Sequence, residues 1–375
     1  LIVRLLKSKN ADVRVVMTPA AKDFVTPLTL STLSGNPVLS TFTATSNDNP
    51  IWNDHVELGK WADLFLIAPA TSNSLSAMAN AKCNNLLIAT YLSCTSDIYI
   101  APAMDLDMYA HDANQSNLKK LSSRGNKILP VGEGFLASGL HGKGRMLAPE
   151  QIIEWIEQDI EDSLPLLGKK VLITAGPTFE PIDPVRFIGN HSSGKMGFAL
   201  AERAAKLGAN VILISGPTSL STSNDNIRLI SIFTAAQMLD QVKQHYDNID
   251  FAIAAAAVAD FRPKKSDNKK IKKESQFDTL KLEPTQDILA WMGANKNHQF
   301  LLGFALETDN ETENAIKKLK SKNLDAIVLN SLKDDGAGFS GDTNKISYID
   351  KNEKIIHFDL KLKDHVAEDI FTQII

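Results

Sequence analysis

Cysteine is scarce in this chain. Cys83 and Cys94 are the two present in 375 residues, both in an apolar stretch that reads as packed helix, and neither has a Cys-x-x-Cys or Cys/His spacing suited to zinc. That usage fits a reducing, cytoplasmic compartment. Long apolar runs are missing too: no window approaches 18 uninterrupted apolar residues, and the N-terminus has no charged-then-apolar signal pattern, so the protein reads as soluble. A formal net charge of −4 and a pI near 6.1 give no global electrostatic reason to bind nucleic acid or an anionic membrane. The expected partners are small molecules.

The length of 375 residues exceeds the usual single core and predicts two domains. The chain opens on Leu1, and Leu1, Val3, Leu5 and Leu6 followed by Lys7 to Asn10 read as the tail of an amphipathic helix, with more chain expected upstream. Short β-branched runs at Val13 to Met17, Leu64 to Ala68 and Ile98 to Ala101 alternate with helical patterns, which implies a parallel sheet with crossover helices. Pro165 and Gly168 interrupt the periodicity after a helix-like Pro149 to Asp162. The domains are therefore expected to be residues 1–165 and 166–375. The second half restarts at Val171 to Ala175 and continues with Val211 to Ser215, Phe251 to Ala255, Leu301 to Ala305 and Ala326 to Leu329, with a helix over Met196 to Leu207. Lys345 to Asp350 and Lys354 to Phe358 then read as a hairpin before a terminal helix.

Chemistry-bearing residues gather after Val171 to Ala175, at the strand end where open α/β sheets bind ligands. There, Ser192, Ser193 and Gly194 would present N–H groups and hydroxyls to an anion at a helix start, with Lys195 as counter-charge, so phosphate is the natural occupant. Gly189 to Lys195 satisfies part of a Walker A pattern, but Met196 stands where a magnesium-binding hydroxyl is needed. The GxGxxG dinucleotide fingerprint is absent as well, which disfavours a P-loop ATPase and an NAD-linked oxidoreductase. Asn190 read alone is more often a helix cap than a catalytic group, and the six lysines of Lys264 to Lys273 read alone are a solvated run.

The stretches Thr174-Ala175-Gly176-Pro177-Thr178, Pro181-Ile182-Asp183-Pro184-Val185-Arg186 and Asn190-His191-Ser192-Ser193-Gly194-Lys195-Met196-Gly197 resemble the bacterial phosphopantothenate:cysteine ligase family. The likeness continues through Ala256 to Phe261, Lys270 to Lys273, Gly303 to Thr308, Lys322 to Asp325 and Gly338-Phe339. It implies CTP as nucleotide, accompanied by magnesium with no ligands assigned, and an acyl-cytidylate from which the amine of cysteine displaces CMP. It also implies that Asn190 and Lys270 are catalytic, with the Asn190 amide donating to a developing oxyanion. By the same resemblance Ala254, Ala255, Ala256, Asp260, Lys270, Gln286, Asp287, Ile288, Leu289, Phe304, Lys318 and Lys322 contact CTP, while Gly176, Thr178, Arg186, Ser192, Ser193, Gly194 and Lys195 serve phosphate and substrate.

In the first half, His55 to Asp63, Ala68-Pro69-Ala70-Thr71-Ser72-Asn73, Pro102-Ala103-Met104 and Met17 to Ala21 resemble the flavin-dependent phosphopantothenoylcysteine decarboxylases. That resemblance implies FMN, contacted by Thr18, Thr71, Asn73 and Met104, and a substrate thiol oxidised to a thioaldehyde before carbon dioxide leaves. It implies His55 as the active-site histidine, and it places the Gly-rich flavin-phosphate loop upstream of Leu1. Two positions depart from the family: Asp105 stands where Asn is common, and Ser138 replaces the cysteine of the substrate clamp. Ser138 is a weaker acid than cysteine, which makes His141 a candidate replacement donor, and Asp105 is expected to be protonated or paired, for example with Arg145 or Lys143, the two departures compensating one another.

The expected architecture is α/β: two Rossmann-like three-layer domains, the first flavodoxin-like and the second a parallel sheet with a C-terminal hairpin. The resemblance implies a homo-oligomer, trimer-based through the flavin domain and dimeric through the ligase. The alternatives are a ligase whose flavin domain is only structural or regulatory, and a non-catalytic protein that keeps the folds alone.

Overall fold

The computed structural model describes residues 1–46, 49–136, 138–272, 279–307, 309–331 and 341–375, with backbone alone at 44–46, 49–52 and 331. It divides into two compact units, Leu1–Ile160 and Glu161–Ile375. The motif residues Ala137, Lys273, Thr308, Gly338 and Phe339 lie outside the described residues.

In the first unit, Leu64–Ala70, Asp97–Pro102 and Lys127–Ile128 form a parallel sheet in that order. Alternate strand residues face opposite sides. Ile67 and Ile100 thus join Leu75, Met78, Ile88 and Leu121 in one apolar cluster, whereas Tyr99 and Ala101 join Leu129, Ile152 and Ile156 in another. Helices Ser72–Ala79, Leu86–Ser93 and Asp112–Ser122 supply the first cluster and Pro149–Asp162 the second. Both faces are covered, as parallel strands require. Tyr99 donates to Asp159 at 2.9 Å, and the ammonium of Lys127 lies 2.5 Å from the same carboxylate oxygen and 3.0 Å from Asp97. Burial pulls Lys127 down, but its bonds to Asp159, Asp97 and Tyr99 outweigh that and hold it above the ordinary lysine value.

The strand expected over Val13 to Met17 is reduced to Val15–Val16, paired with Val38–Leu39 in a separate two-stranded sheet. The two cysteines are not inside a helix. Cys83 is exposed in the connection after helix Ser72–Ala79 and Cys94 follows the helix Leu86–Ser93. The reason is local: Asn85 stops any continuous helix by capping the next one, accepting from Ile88 N at 3.0 Å.

The second unit is built on an eight-stranded sheet in the order Ile227–Ser231, Asn210–Ser215, Lys170–Ala175, Phe251–Ala254, Phe300–Glu307, Ala326–Ser331, Ile346–Asp350, Ile355–His357. The first six run parallel and the last two, the expected hairpin, run antiparallel. Val171, Ile173 and Ala175 face helices Lys195–Lys206 and Lys363–Ile374. Leu172 and Leu301 face helices Ala235–His245, Ile288–Ala294 and Glu311–Ser321. The edge strand Ile227–Ser231 had no counterpart among the expected elements. From Lys170–Ala175 the chain adds strands first on one side and then, from Phe251, on the other. The topological switch point therefore lies between Ala175 and Ala254, where such sheets open a ligand crevice.

Candidate active sites in the two units

The crevice of the second unit is shaped by glycines. A Cβ on Gly197 would lie 2.4 Å from Ala175 Cβ, and one on Gly194 would lie 2.8 Å from the Thr218 methyl and 3.5 Å from Gly176 Cα. Only glycine lets the start of helix Lys195–Lys206 come this close to the strand end, and Gly194 also sits at φ +77°. The expected phosphate turn is thus a real helix N-terminus packed on the sheet. Gly194 N donates to Ser192 Oγ at 3.4 Å, and the ammonium of Lys195 pairs with Asp342 at 2.6 Å.

Across the crevice, the chain after Phe251–Ala254 is stitched to the glycine loop. Ala256 N donates to Thr174 Oγ1 at 3.3 Å, Ala257 N to Gly176 O at 2.9 Å, and Ala259 N to the buried Thr178 Oγ1 at 2.9 Å. Asn190 closes the same wall, its Nδ2 donating to Val258 O at 2.9 Å and Ala257 O at 3.3 Å. The capping alternative for Asn190 is not realised, because Gly194 is the N-cap residue. The amide hydrogens expected to face an oxyanion are engaged by these carbonyls in this arrangement.

Most residues expected at the nucleotide converge on neighbouring strand and helix ends. Asp287 caps helix Ile288–Ala294, accepting from Ala290 N at 2.8 Å, and forms an ion pair with Lys322. Lys318 donates to Phe304 O at 2.9 Å. Burial holds Lys318 below the ordinary lysine value, opposed by the carboxylates of Glu307, Asp287 and Asp260. Burial raises Asp287, yet the bonds from Lys322 and Ala290 leave it low overall. Two cations, a half-buried aromatic ring and small strand-end residues make a donor set that fits a nucleotide triphosphate. Among the described residues, no three histidine, cysteine, aspartate or glutamate side chains gather to hold a metal ion.

Arg186 is placed differently from a free phosphate contact. Its guanidinium binds the buried carboxylate of Asp183, with Nε at 3.0 Å, and the carbonyl of Ile271 at 2.9 Å. Asp183 had no assigned role in the sequence. Its signal was present as an Asp-Pro turn with Arg three residues on, the arrangement by which an aspartate caps its own turn.

In the first unit the expected residues lie around the C-terminal strand ends. Thr71 precedes helix Ser72–Ala79 without making a side-chain capping bond, and Asn73 is exposed in its first turn. Ala103 N donates to Ala70 O at 3.0 Å, joining the Thr71 and Met104 loops. The hairpin Gly132–Phe135 with His141–Arg145 lies against Met104, whose N–H donates to Gly144 O at 3.0 Å. A Cβ on Gly144 would stand 2.4 Å from Met104 O, so glycine is required there. Ser138 turns this hairpin, its Oγ accepting from Leu140 N at 3.4 Å, and His141 packs edge-on to Phe135 at 5.2 Å. His55 opens helix His55–Trp61 behind the cap Asp54 and packs edge-on to Phe42 at 6.1 Å, while Thr18 opens the turn Pro19–Asp23. Thr71, Asn73 and the helix N-terminus form a donor set suited to the polar edge of a flavin. Asp105 caps Leu106 N at 2.7 Å, and among the described residues neither Arg145 nor Lys143 pairs with it. That pairing is not made because Arg145 folds back along its own hairpin, Nη1 lying 3.6 Å from a Cβ placed on Gly134.

Residues 1–161 match the family described as Flavoprotein, and residues 166–375 match the DNA/pantothenate metabolism flavoprotein C-terminal domain. The chain is 44% identical over 372 residues to the coenzyme A biosynthesis bifunctional protein CoaBC of Bacillus subtilis, spanning 98% of this chain and 91% of that one. It is 51% identical over 357 residues to a cysteine/cysteine sulfinic acid decarboxylase from an unknown prokaryotic organism, spanning 94% of this chain and 99% of that one. A crystal structure of the C-terminal domain of a CoaBC protein is 44% identical, covering 56% of this chain and 96% of that one with a TM-score of 0.49. With a flavoprotein unit followed by a pantothenate-metabolism unit, and more than two-fifths identity along nearly its whole length, the chain belongs to the family of bifunctional coenzyme A biosynthesis proteins.

Proposed function

We propose that the chain performs two consecutive steps of coenzyme A biosynthesis. In the second unit the carboxylate of 4′-phosphopantothenate attacks the α-phosphorus of CTP and releases pyrophosphate. The amine of cysteine then attacks the acyl carbon, CMP leaves, and the amine proton passes to solvent. Lys318 and Lys322 neutralise the triphosphate as charge builds on the departing pyrophosphate. Lys270 adds a further cation, and the turn Ser192 to Lys195 holds the pantothenate phosphate. Magnesium arrives with the nucleotide, as is usual where carboxylates are few. What carries the reading is the convergence of Asp287, Phe304, Lys318 and Lys322 beside the glycine-lined strand end. Pyrophosphate release that requires CTP and phosphopantothenate, followed by CMP release on adding cysteine, tests it. Equal release with ATP alone and no pantothenate substrate would sink it.

In the first unit Thr18, Thr71, Asn73 and Met104 would hold FMN. When bound, the flavin accepts the electrons of the substrate thiol and returns them after carbon dioxide has left. His55 and His141 are the proton-transfer groups.

A second reading of this unit has its own support. Asp105 stands without a cationic partner among the described residues, and the relative at 51% identity is named for decarboxylating cysteine and cysteine sulfinic acid. A free amino acid carries an α-ammonium where phosphopantothenoylcysteine carries a neutral amide. A carboxylate suits the former and an asparagine the latter. On this reading Asp105→Asn moves turnover from free cysteine toward phosphopantothenoylcysteine, measured as carbon dioxide release from each. Unchanged preference in the variant removes the second reading and leaves the first.

A further inference from the structure

Lys270 lies in a segment made almost entirely of exposed residues. From 264 to 272 every residue except Ile271 is exposed, and the like charges of its lysines repel one another. Lys264 N donates to Lys281 O at 2.9 Å, and the turn Ile182 to Arg186 holds the segment at Ser266, whose Oγ donates to Ile182 O at 3.5 Å, at Asp267 and at Ile271. Asp267 N donates to Ile182 O at 3.0 Å. Ile271 is gripped on both sides of its backbone, its N–H donating to Asp183 Oδ2 at 3.2 Å and its carbonyl accepting from Arg186 Nη2 at 2.9 Å. Asp183 is 2% exposed and also accepts from Val185 N at 2.8 Å, Arg186 N at 2.9 Å and Arg186 Nε at 3.0 Å. One carboxylate therefore shapes the turn, orients the guanidinium and fixes a residue 88 positions along the chain.

We propose that Asp183 is a positioning residue for the ligase, clamping Ile271 so that the adjacent Lys270 is delivered to the nucleotide. The proposal rests on the reading of Lys270 as a working cation. Consecutive Cα atoms are about 3.8 Å apart, so fixing the Ile271 backbone fixes the root of the Lys270 side chain. A flexible lysine delivers its charge only when its backbone is held, because an unanchored segment loses that geometry to conformational freedom. The Asp183 carboxylate is charged at all working pH values, since the guanidinium of Arg186 holds it well below the usual carboxylate range.

A double-mutant cycle on the full-length protein tests this, with pyrophosphate release from CTP and phosphopantothenate followed in a single turnover without cysteine. Lys270→Gln is expected to slow release about a hundredfold, the scale of a removed charge-stabilising group. Asp183→Asn should slow it by a similar factor. The double variant should fall within about threefold of Lys270→Gln alone, because residues acting through one another are not additive. Multiplying losses in the double variant would overturn the clamp while leaving the Lys270 reading intact. An unimpaired Lys270→Gln would overturn the Lys270 reading, and the proposal with it. If Asp183→Asn does not fold by circular dichroism, Arg186→Lys takes its place in the cycle: it leaves Asp183 a cation but cannot reach the Ile271 carbonyl in the same fork geometry. The same pattern of non-additivity is expected, and multiplied losses again overturn the clamp.

Discussion

Lys195 Nζ lies 2.6 Å from Asp342 Oδ1, so the cation at the start of helix Lys195–Lys206 already holds a carboxylate. Hydrogen bonding to Lys195 keeps Asp342 below its ordinary value. A phosphate arriving at this turn competes with Asp342 for the same ammonium. Asp342→Asn is expected to lower the KM for phosphopantothenate by about two- to fivefold, the modest scale of an exposed ion pair. Lys195→Ala should raise it. Initial-rate measurements at fixed CTP check both directions, and a rise in KM for Asp342→Asn would contradict the competition.

Gly197→Ala should destabilise the second unit. The added Cβ would fall 2.4 Å from Ala175 Cβ and 3.1 Å from Ala175 Cα, with a backbone atom among its neighbours. Overpacking of this kind costs about 1–3 kcal/mol. A lower thermal midpoint is expected, with ligase activity falling more steeply than stability, because the helix must back away from the strand end that forms the crevice.

Nucleotide binding should be linked to protons through Lys318. Burial sets its folded pKa below that of an unfolded lysine, about 10.4. The folded protein therefore binds fewer protons there than the unfolded chain, and the charged lysine opposes folding until pH rises through its folded value. A triphosphate beside it favours the charged form and draws a proton in. CTP affinity should fall as pH rises through the folded value, with net proton uptake in calorimetric titrations run in buffers of different ionisation enthalpy. In Lys318→Met this uptake should vanish.

Lys127→Met should weaken the first unit. It removes the ammonium 2.5 Å from Asp159 while leaving that carboxylate half-buried against Tyr99. Loss of one partner of such a carboxylate costs about 1–3 kcal/mol. Chemical denaturation followed by tyrosine and tryptophan fluorescence is the check, and the further replacement Asp159→Leu should recover part of the loss.

The alternation of β-branched runs with helical periodicity placed the central strands of both units within a residue or two, because those strands are buried on both faces and their residues must be apolar. Ile227–Ser231 escaped, since an edge strand needs little apolar character: Arg228, Leu229 and Ser231 are exposed in it. Gly194 was legible as part of a phosphate-suited turn, whereas the close approach that requires glycine at 197 shows only in the structure. The role of Asp183 was not legible, because its meaning depends on Ile271, 88 residues away, and no local pattern encodes that meeting. The same holds for Asp342 beside Lys195, which are 147 positions apart. The pairing expected of Asp105 with Arg145 or Lys143 is not made, because Arg145 lies along its own hairpin, a placement that the sequence does not encode.

The sheet of the second unit ends on Ile355–His357, three residues long, preceded by Lys354 and, among the described residues, paired only to Ile346–Asp350. So short a border, reached by reversing strand direction, offers an incoming strand few free backbone groups, and the lysine discourages it further. In the folded unit the reversal thus leaves this border of the sheet with little to recruit a further strand.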